Sequence, residues 1–242
     1  MSVLALQLAG PLQAWGARSR FARRTTENAP TKSGVIGLLA AALGRRRTDD
    51  VSDLGGLRYA VRVDQPGVRV RDFQTAHHAD TGDAMPVSER FYLADAVFFA
   101  ALEGDAGLIA RLDRALRDPV FLPYLGRRSC PPARRIDLGV RDADLWTVIA
   151  EQEWIAADWY QRSRRREAEV ELGVWLDTGP GHTAAHELRD VPLSFAPEHR
   201  RYAVRGVAHT TVTTSNPYAE ADTPAPDAPA LHHDPFAALG GD

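Results

Sequence analysis

The chain has 242 residues, is 44% hydrophobic and 25% charged, and its 29 basic against 32 acidic residues leave a formal net charge of −3. That length and apolar content suit a globular protein with a real core and exclude a chain disordered throughout. A single cysteine excludes an intramolecular disulfide framework, the opening MSVLALQLAGPLQAWG lacks the basic and long apolar regions of a signal peptide, and no run approaches the ~18 apolar residues of a membrane span. A cytoplasmic protein is expected.

In chain order, LALQLA sets Leu4, Leu6 and Leu8 against Ala5, Gln7 and Ala9, the period of a half-buried strand ending at Gly10-Pro11. TKSGVIGLLAAALG predicts a helix, with Thr31 or Ser33 as cap, an apolar face from Val35 to Leu43 and Gly44 as the stop. LRYAVRVD (57–64) alternates as a second strand. A hairpin follows, with arms GVRVRDFQT (67–75) and SERFYLADAVFFAAL (88–102) around a polar tip, the second arm running on as one long buried strand. DAGLIARLDRALRDP (105–119) puts Leu108, Ile109, Leu112, Ala115 and Leu116 on one helical face, and Pro119 ends it.

The order β, α, β, β, α is most of a ferredoxin-like split βαβ plan, with a closing strand expected in RIDLGV (135–140) or later. The fold class is therefore α+β: a palm over 1–150 with a hairpin thumb at about 67–100. EVELGVWLD (169–177), DVPLSF (190–195) and YAVRGVAHTTVTT (202–214) suggest a smaller β-rich portion over 151–214, and the Pro-, Ala- and Asp-rich stretch 215–242 a disordered tail.

The near-neutral total hides clustered cations in RSRFARR (18–24), GRRR (44–47), RRSCPPARR (127–135) and QRSRRRE (161–167), the asymmetry that suits a polyanion. Lys32 is the sole lysine, so the abundance of arginine by itself identifies nothing. PTKSG (30–34) lacks the glycines of a Walker A loop; what remains is Lys32, Ser33 and free amides at a helix start, suited to an anion or to a plain cap. His182 and His186 have no third ligand in the sequence, and His77, His78, His232 and His233 fall in the hairpin tip and the tail, so no metal and no other cofactor is expected. In YLGRRSCPP (124–132), Cys130 as a nucleophile needs a base and an orienter that the sequence does not display. The loop is better suited to gripping a sugar-phosphate backbone, with Gly126 for close approach, Arg127, Arg128 and Ser129 as donors and Tyr124 for stacking.

Four stretches in order, LAGPLQAWG (8–16), PTKSGVIGLLAAALG (30–44), RDFQT (71–75) with RFYLADAVF (90–98), and PYLGRRSCP (123–131), resemble the CasD family, the fifth-type CRISPR-associated subunit of the type I-E Cascade surveillance complex. The resemblance covers the first 140 or so residues. It implies a non-catalytic RNA-binding subunit with an RRM-related palm and a thumb, holding the repeat-derived 5′ handle of the guide RNA and capping the backbone filament. Its implied partners are the guide RNA, the backbone-forming, large and other Cascade subunits, and target DNA through the complex. Carried over by position, it points to Gln13 and Trp15 (the latter stacking a base or packing the sheet edge), Lys32 and Ser33, Arg71 and Arg90 on the thumb arms, and Tyr124, Arg127 and Arg128 in the glycine loop. Gln74 stands where some relatives are expected to have histidine, and the acidic tail has no counterpart. The alternative is a metal-independent endoribonuclease acting on repeat RNA, like the subtype I-C relatives; with one lysine, already in the helix-start motif, its Tyr, Lys and His constellation is hard to assemble.

Overall fold

The computed structural model describes residues 1–16, 23–178 and 186–220. His182, residues 18–22 of the first basic cluster, and the tail beyond Glu220 with His232 and His233 lie outside the described residues. Strand β1 (Ser2–Ala9) is followed by two short strands, β2 (Leu12–Gln13) and β3 (Arg23–Arg24), then by helix α1 (Lys32–Ala42) and a single turn, α2 (Ser52–Gly55). Strand β4 (Arg58–Gln65) leads into β5 (Val68–Gln74), β6 (Ser88–Ala94), β7 (Val97–Gly104) and helix α3 (Ala106–Arg117). Strand β8 (Asp137–Arg141), helices α4 (Leu145–Glu151) and α5 (Asp158–Ser163), and strands β9 (Glu169–Asp177), β10 (His186–Ser194) and β11 (Arg201–Ser215) complete the chain. The fold is α+β.

Seven strands form the main sheet in the order β10-β11-β9-β4-β7-β1-β8, each neighbour antiparallel. The alternation of β1 divides the core. Leu4, Leu6 and Leu8 pack with Ile36, Leu39, Ile109 and Leu112 of α1 and α3, while Val3 and Ala5 join Leu145, Ile149 and Trp154 on the opposite face. Period-two strands with both faces covered bury almost every residue, as β1 does. The Thr31 hydroxyl caps α1 by accepting from the Gly34 amide at 3.3 Å, and Asp105 caps α3 by accepting from the Leu108 amide at 2.9 Å.

The second hairpin arm departs from expectation. It breaks at Asp95, whose φ is 55°, so β6 and β7 belong to different sheets. The opposite arm turns at Gly67, φ 68°, where an added Cβ would run into the Ala94 carbonyl. Between these turns β5 and β6 leave the main sheet and pair with each other, with β2 and β3 bonded along the free edge of β6. The tip is not featureless: a His77–Ala84 bridge and bonds from the His78 amide to the Asp83 carbonyl (2.9 Å) and from the Met85 amide to the Ala76 carbonyl (2.8 Å) close a small second hairpin.

Two further differences lie in the last third. The strands expected as a smaller β-rich portion extend the main sheet, because β9 pairs with β4 through Ala60–Leu176, Val61–Trp175 and Arg62–Val174. And the stretch expected to be a tail from 215 begins packed. The buried Asn216 amide donates to the Gln161 and Arg164 carbonyls, Tyr218 lies under Arg162, and Glu220 pairs with Arg165 at 2.5 Å. These bonds close the C-terminal end of α5.

Candidate nucleic-acid interface

The thumb base, the glycine loop and the C-terminal end of β1 meet at one edge of the main sheet. The loop folds back through bonds from the Leu125 amide to the Cys130 carbonyl (2.8 Å) and from the Cys130 amide to the Arg127 carbonyl (2.9 Å), and docks on β2 where the Ala14 amide donates to the Leu125 carbonyl at 3.1 Å. Gly126, φ 84°, sits so tightly against the Ala14 carbonyl that no side chain fits. Cys130 is fully buried in the apolar core, and burial pushes its thiol pKa up, opposite to what a nucleophile needs. It is a core residue that anchors the loop.

Arg127 reaches from the loop to the thumb. Its guanidinium lies 4.7 Å from the Tyr92 ring centre and donates to the Arg24 carbonyl at 2.9 Å. Arg24 is the register partner of Arg90 on β6, and Arg90 and Tyr92, two apart, share one strand face. Arg24, Arg90 and Arg127 therefore converge. Among the described residues, Arg90 Nε and Arg127 Nη1 are buried and have no hydrogen-bond acceptor. A buried guanidinium N–H without an acceptor costs free energy comparable to a lost charged hydrogen bond, and an anionic oxygen removes that cost. The opposite face of the thumb sheet carries Arg71 stacked on Phe73 (4.7 Å) and Arg23 on Phe91 (5.4 Å), with Phe73 about half exposed. Glu89 is the loose counter-ion of both arginines, 3.7 Å from Arg23 and 3.8 Å from Arg71. Alternating cations and aromatic rings on an exposed sheet suit single-stranded nucleic acid. Tyr124 is half-buried, and Arg128 and Ser129 are exposed at the rim.

Four expected residues are elsewhere or inaccessible. Gln13 is fully buried; its amide nitrogen donates to the Leu8 and Ala96 carbonyls at 3.0 and 2.7 Å, and its oxygen accepts from Trp15 Nε1 at 3.0 Å. Trp15 is also fully buried and wedged against Gly34 at the start of α1, so it packs the sheet edge instead of stacking a base. The pair pins the thumb where it leaves the sheet. Lys32 is 5% exposed, its ammonium donates to Asp177 Oδ2 at 2.9 Å, and its amide donates to Asp190 Oδ2 at 2.8 Å. The anion at the helix start is thus an internal carboxylate. Ser33 is buried beside Thr31. Arg205 completes the cluster, bonded to Asp190 Oδ1 at 2.6 Å and to Asp177, and these partners raise its pKa further. Two cations and two carboxylates form a neutral buried knot, with no position left for phosphate.

The other basic clusters are internally paired in part. Arg45 makes a two-pronged pair with Asp53 at 2.5 Å, and in QRSRRRE Arg164 pairs with Glu167 and Arg165 with Glu220. His186 lies on β10 with its ring 6.1 Å from that of Trp175. The sequence reading missed Arg24 and Tyr92 on one face of the thumb sheet and Phe73 and Phe91 on the other; the aromatic-basic alternation of RDFQT and RFY was the available signal.

A family model described as "CRISPR-associated protein (Cas_Cas5)" matches residues 3–208. The "CRISPR system Cascade subunit CasD" of Escherichia coli (strain K12) is 33% identical over 226 residues, covering 84% of this chain and 93% of that protein. A structure described as "Crystal structure of Cas protein" is similar with a TM-score of 0.68 at 36% identity, over 90% of this chain and 97% of that one. A chain of a "CRISPR RNA-guided surveillance complex" reaches 0.74 at 33% identity, over 90% and 93%. Both solved chains are similar over 90% of this chain, and with the family match along most of the sequence they show that this chain belongs to the CRISPR-associated Cas5 family, as a protein of the CasD kind.

Proposed function

We propose that the chain is a non-catalytic subunit of a Cascade-type, RNA-guided surveillance complex in the cytoplasm, and that it holds the repeat-derived 5′ handle of the guide RNA at the thumb base and caps the backbone filament. Its partners are then the guide RNA, the backbone and large subunits, and target DNA through the assembly. The observation that carries the reading is the pair of buried, acceptor-less guanidinium donors on Arg90 and Arg127, facing the junction of thumb and glycine loop. Phosphate oxygens supply the missing acceptors, and charge-assisted bonds of this kind are among the strongest a protein makes. Kinship to CasD and to a chain of a surveillance complex supports the assembly role. The palm is read as ferredoxin-like: β1, β4, β7 and β8 alternate with α1 and α3 in the chain and lie in the order β4-β7-β1-β8, with both helices on one face.

A repeat-cutting ribonuclease needs a base for the 2′-hydroxyl and a donor for the leaving oxygen. The sole lysine is held in the knot beneath α1, and His77 and His78 sit at the exposed thumb tip, bonded to the tip's own backbone. Incubating the purified chain with labelled repeat RNA in EDTA tests both readings. Retention of intact RNA, weakened by Arg90→Ala and Arg127→Ala, is expected; site-specific cleavage, or no binding by the unsubstituted chain, overturns the proposal.

A further inference from the structure

Strands β4 and β9 pair only through three residue pairs, Ala60–Leu176 to Arg62–Val174, and then part. Beyond the fork β4 continues along β7 toward the thumb, and β9 follows β11. The cleft between them has a volume of about 320 Å³, and among its lining residues are Val63, Pro66, Tyr160, Gly173, Trp175 and His209. It lies at the edge of the sheet from which the thumb rises, because Pro66 is the residue at which β4 turns into the thumb. The glycine loop lies at the same edge beyond β1, three strand spacings or about 14 Å away.

The chemistry of the cleft differs from that of the loop. The exposed His209 ring packs against Trp175 at a tilt, with centroids 4.5 Å and planes 56° apart, so one aromatic pair is already assembled and the indole is only half-buried. Tyr160 adds a third ring, and Arg164 and Glu171 at the rim bring a cation and a carboxylate acceptor. Arg164 is already paired with Glu167, which leaves the cleft without a strong phosphate grip. Apolar groups of Val63, Pro66 and Leu172, an aromatic face at Trp175 and polar groups of Asp64, Glu171 and Arg164 suit a flat, uncharged heterocycle that both stacks and hydrogen-bonds.

We propose that the β4–β9 cleft receives one unstacked nucleobase of the single strand that passes round the thumb base, with Trp175 as its platform and His209 as the ring that holds Trp175 in place. The proposal rests on reading the thumb edge as RNA-binding, and adds a base pocket on the flank of the thumb away from the arginine cluster. A strand gripped by phosphate on the Arg90 and Arg127 side crosses the thumb base and turns a base into the cleft.

The test uses the full chain and a set of repeat RNAs, each with one 5-iodouridine placed at successive positions. One position is expected to photo-crosslink to a peptide of β9 or β11 containing Trp175 or His209, and Trp175→Leu is expected to abolish that crosslink and weaken binding roughly 5- to 100-fold. Trp175→Phe, which keeps a stacking face, should restore most of both, and His209→Ala, on an exposed ring, should reduce both even if Trp175→Leu fails to fold. Crosslinks confined to the thumb and glycine loop, with unchanged affinity in Trp175→Leu or His209→Ala, would overturn the cleft while leaving the RNA-binding role intact. Affinity unmoved by Arg90→Ala and Arg127→Ala as well would sink that role and the cleft together.

Discussion

Lys32→Met separates the two meanings a lysine at a helix start can have. The ammonium sits 2.9 Å from Asp177 Oδ2, with side-chain exposures of 6% and 11%. At that distance and an effective dielectric near 20, the attraction is about 6 kcal/mol. Desolvating the ammonium takes back several kcal/mol, and Asp177 keeps two other donors, Arg205 and the Tyr59 amide at 3.0 Å. The loss should therefore fall at the low end of the range for breaking a buried pair, about 3 kcal/mol. For a protein of this size that is a fall in Tm of roughly 6 to 12 °C. Thermal unfolding of Lys32→Met, Asp177→Asn and the double variant measures it, and the double variant should recover part of the loss because no charge is then left unpaired. Handle affinity of the folded variant should be unchanged. An unaltered Tm combined with weakened RNA binding would refute the account and return Lys32 to the interface.

Arg128→Ala, on an exposed rim residue, should lower the slope of log affinity against log salt by about 0.7 with Tm unchanged, whereas Arg127→Ala should also loosen the thumb because it loses Tyr92 and the Arg24 carbonyl. Amides 76–86 close only exposed bonds within the tip and should exchange quickly in the isolated chain and slow in the assembled complex; equal protection in both would show that the thumb tip contacts no neighbour. Arg135 and Arg117 hold the Asp137 carboxyl below the usual carboxylate range. A depressed pKa contributes stability that is present above about pH 4 and lost as pH falls through the folded value, so Asp137→Asn should destabilise at pH 7 and match the parent in strong acid. A pH-independent difference in chemical denaturation would count against that ion pair.

Much of the architecture is written locally. The alternation in 4–9, 57–64, 169–177 and 202–214 and the capped apolar faces of α1 and α3 mark these elements in the right order, because strand and helix periods and caps are short-range properties. Short elements escaped: α4 and α5 have 7 and 6 residues, too few to show a period, although Asp144 accepting from the Trp146 and Thr147 amides is a readable cap. The glycine loop was legible as a motif because its constraint is steric and local at Gly126.

The rest depended on partners far away in the chain. Lys32 and Ser33 read as an anion site or a plain cap until Asp177 and Asp190, 145 and 158 residues after Lys32, supply the anion. Gln13 and Trp15 read as a polar, aromatic turn until the sheet closes over them, and the strand through 88–102 reads as continuous until Asp95 and Gly67 send its first half into another sheet. The residues themselves determined which groups the chain carries and which segments form strands and helices. Only the tertiary structure decided which cations are neutralised within the fold and which, like Arg90 and Arg127, keep donors unspent, because pairing depends on three-dimensional proximity and desolvation, and neither is encoded in spacing along the chain.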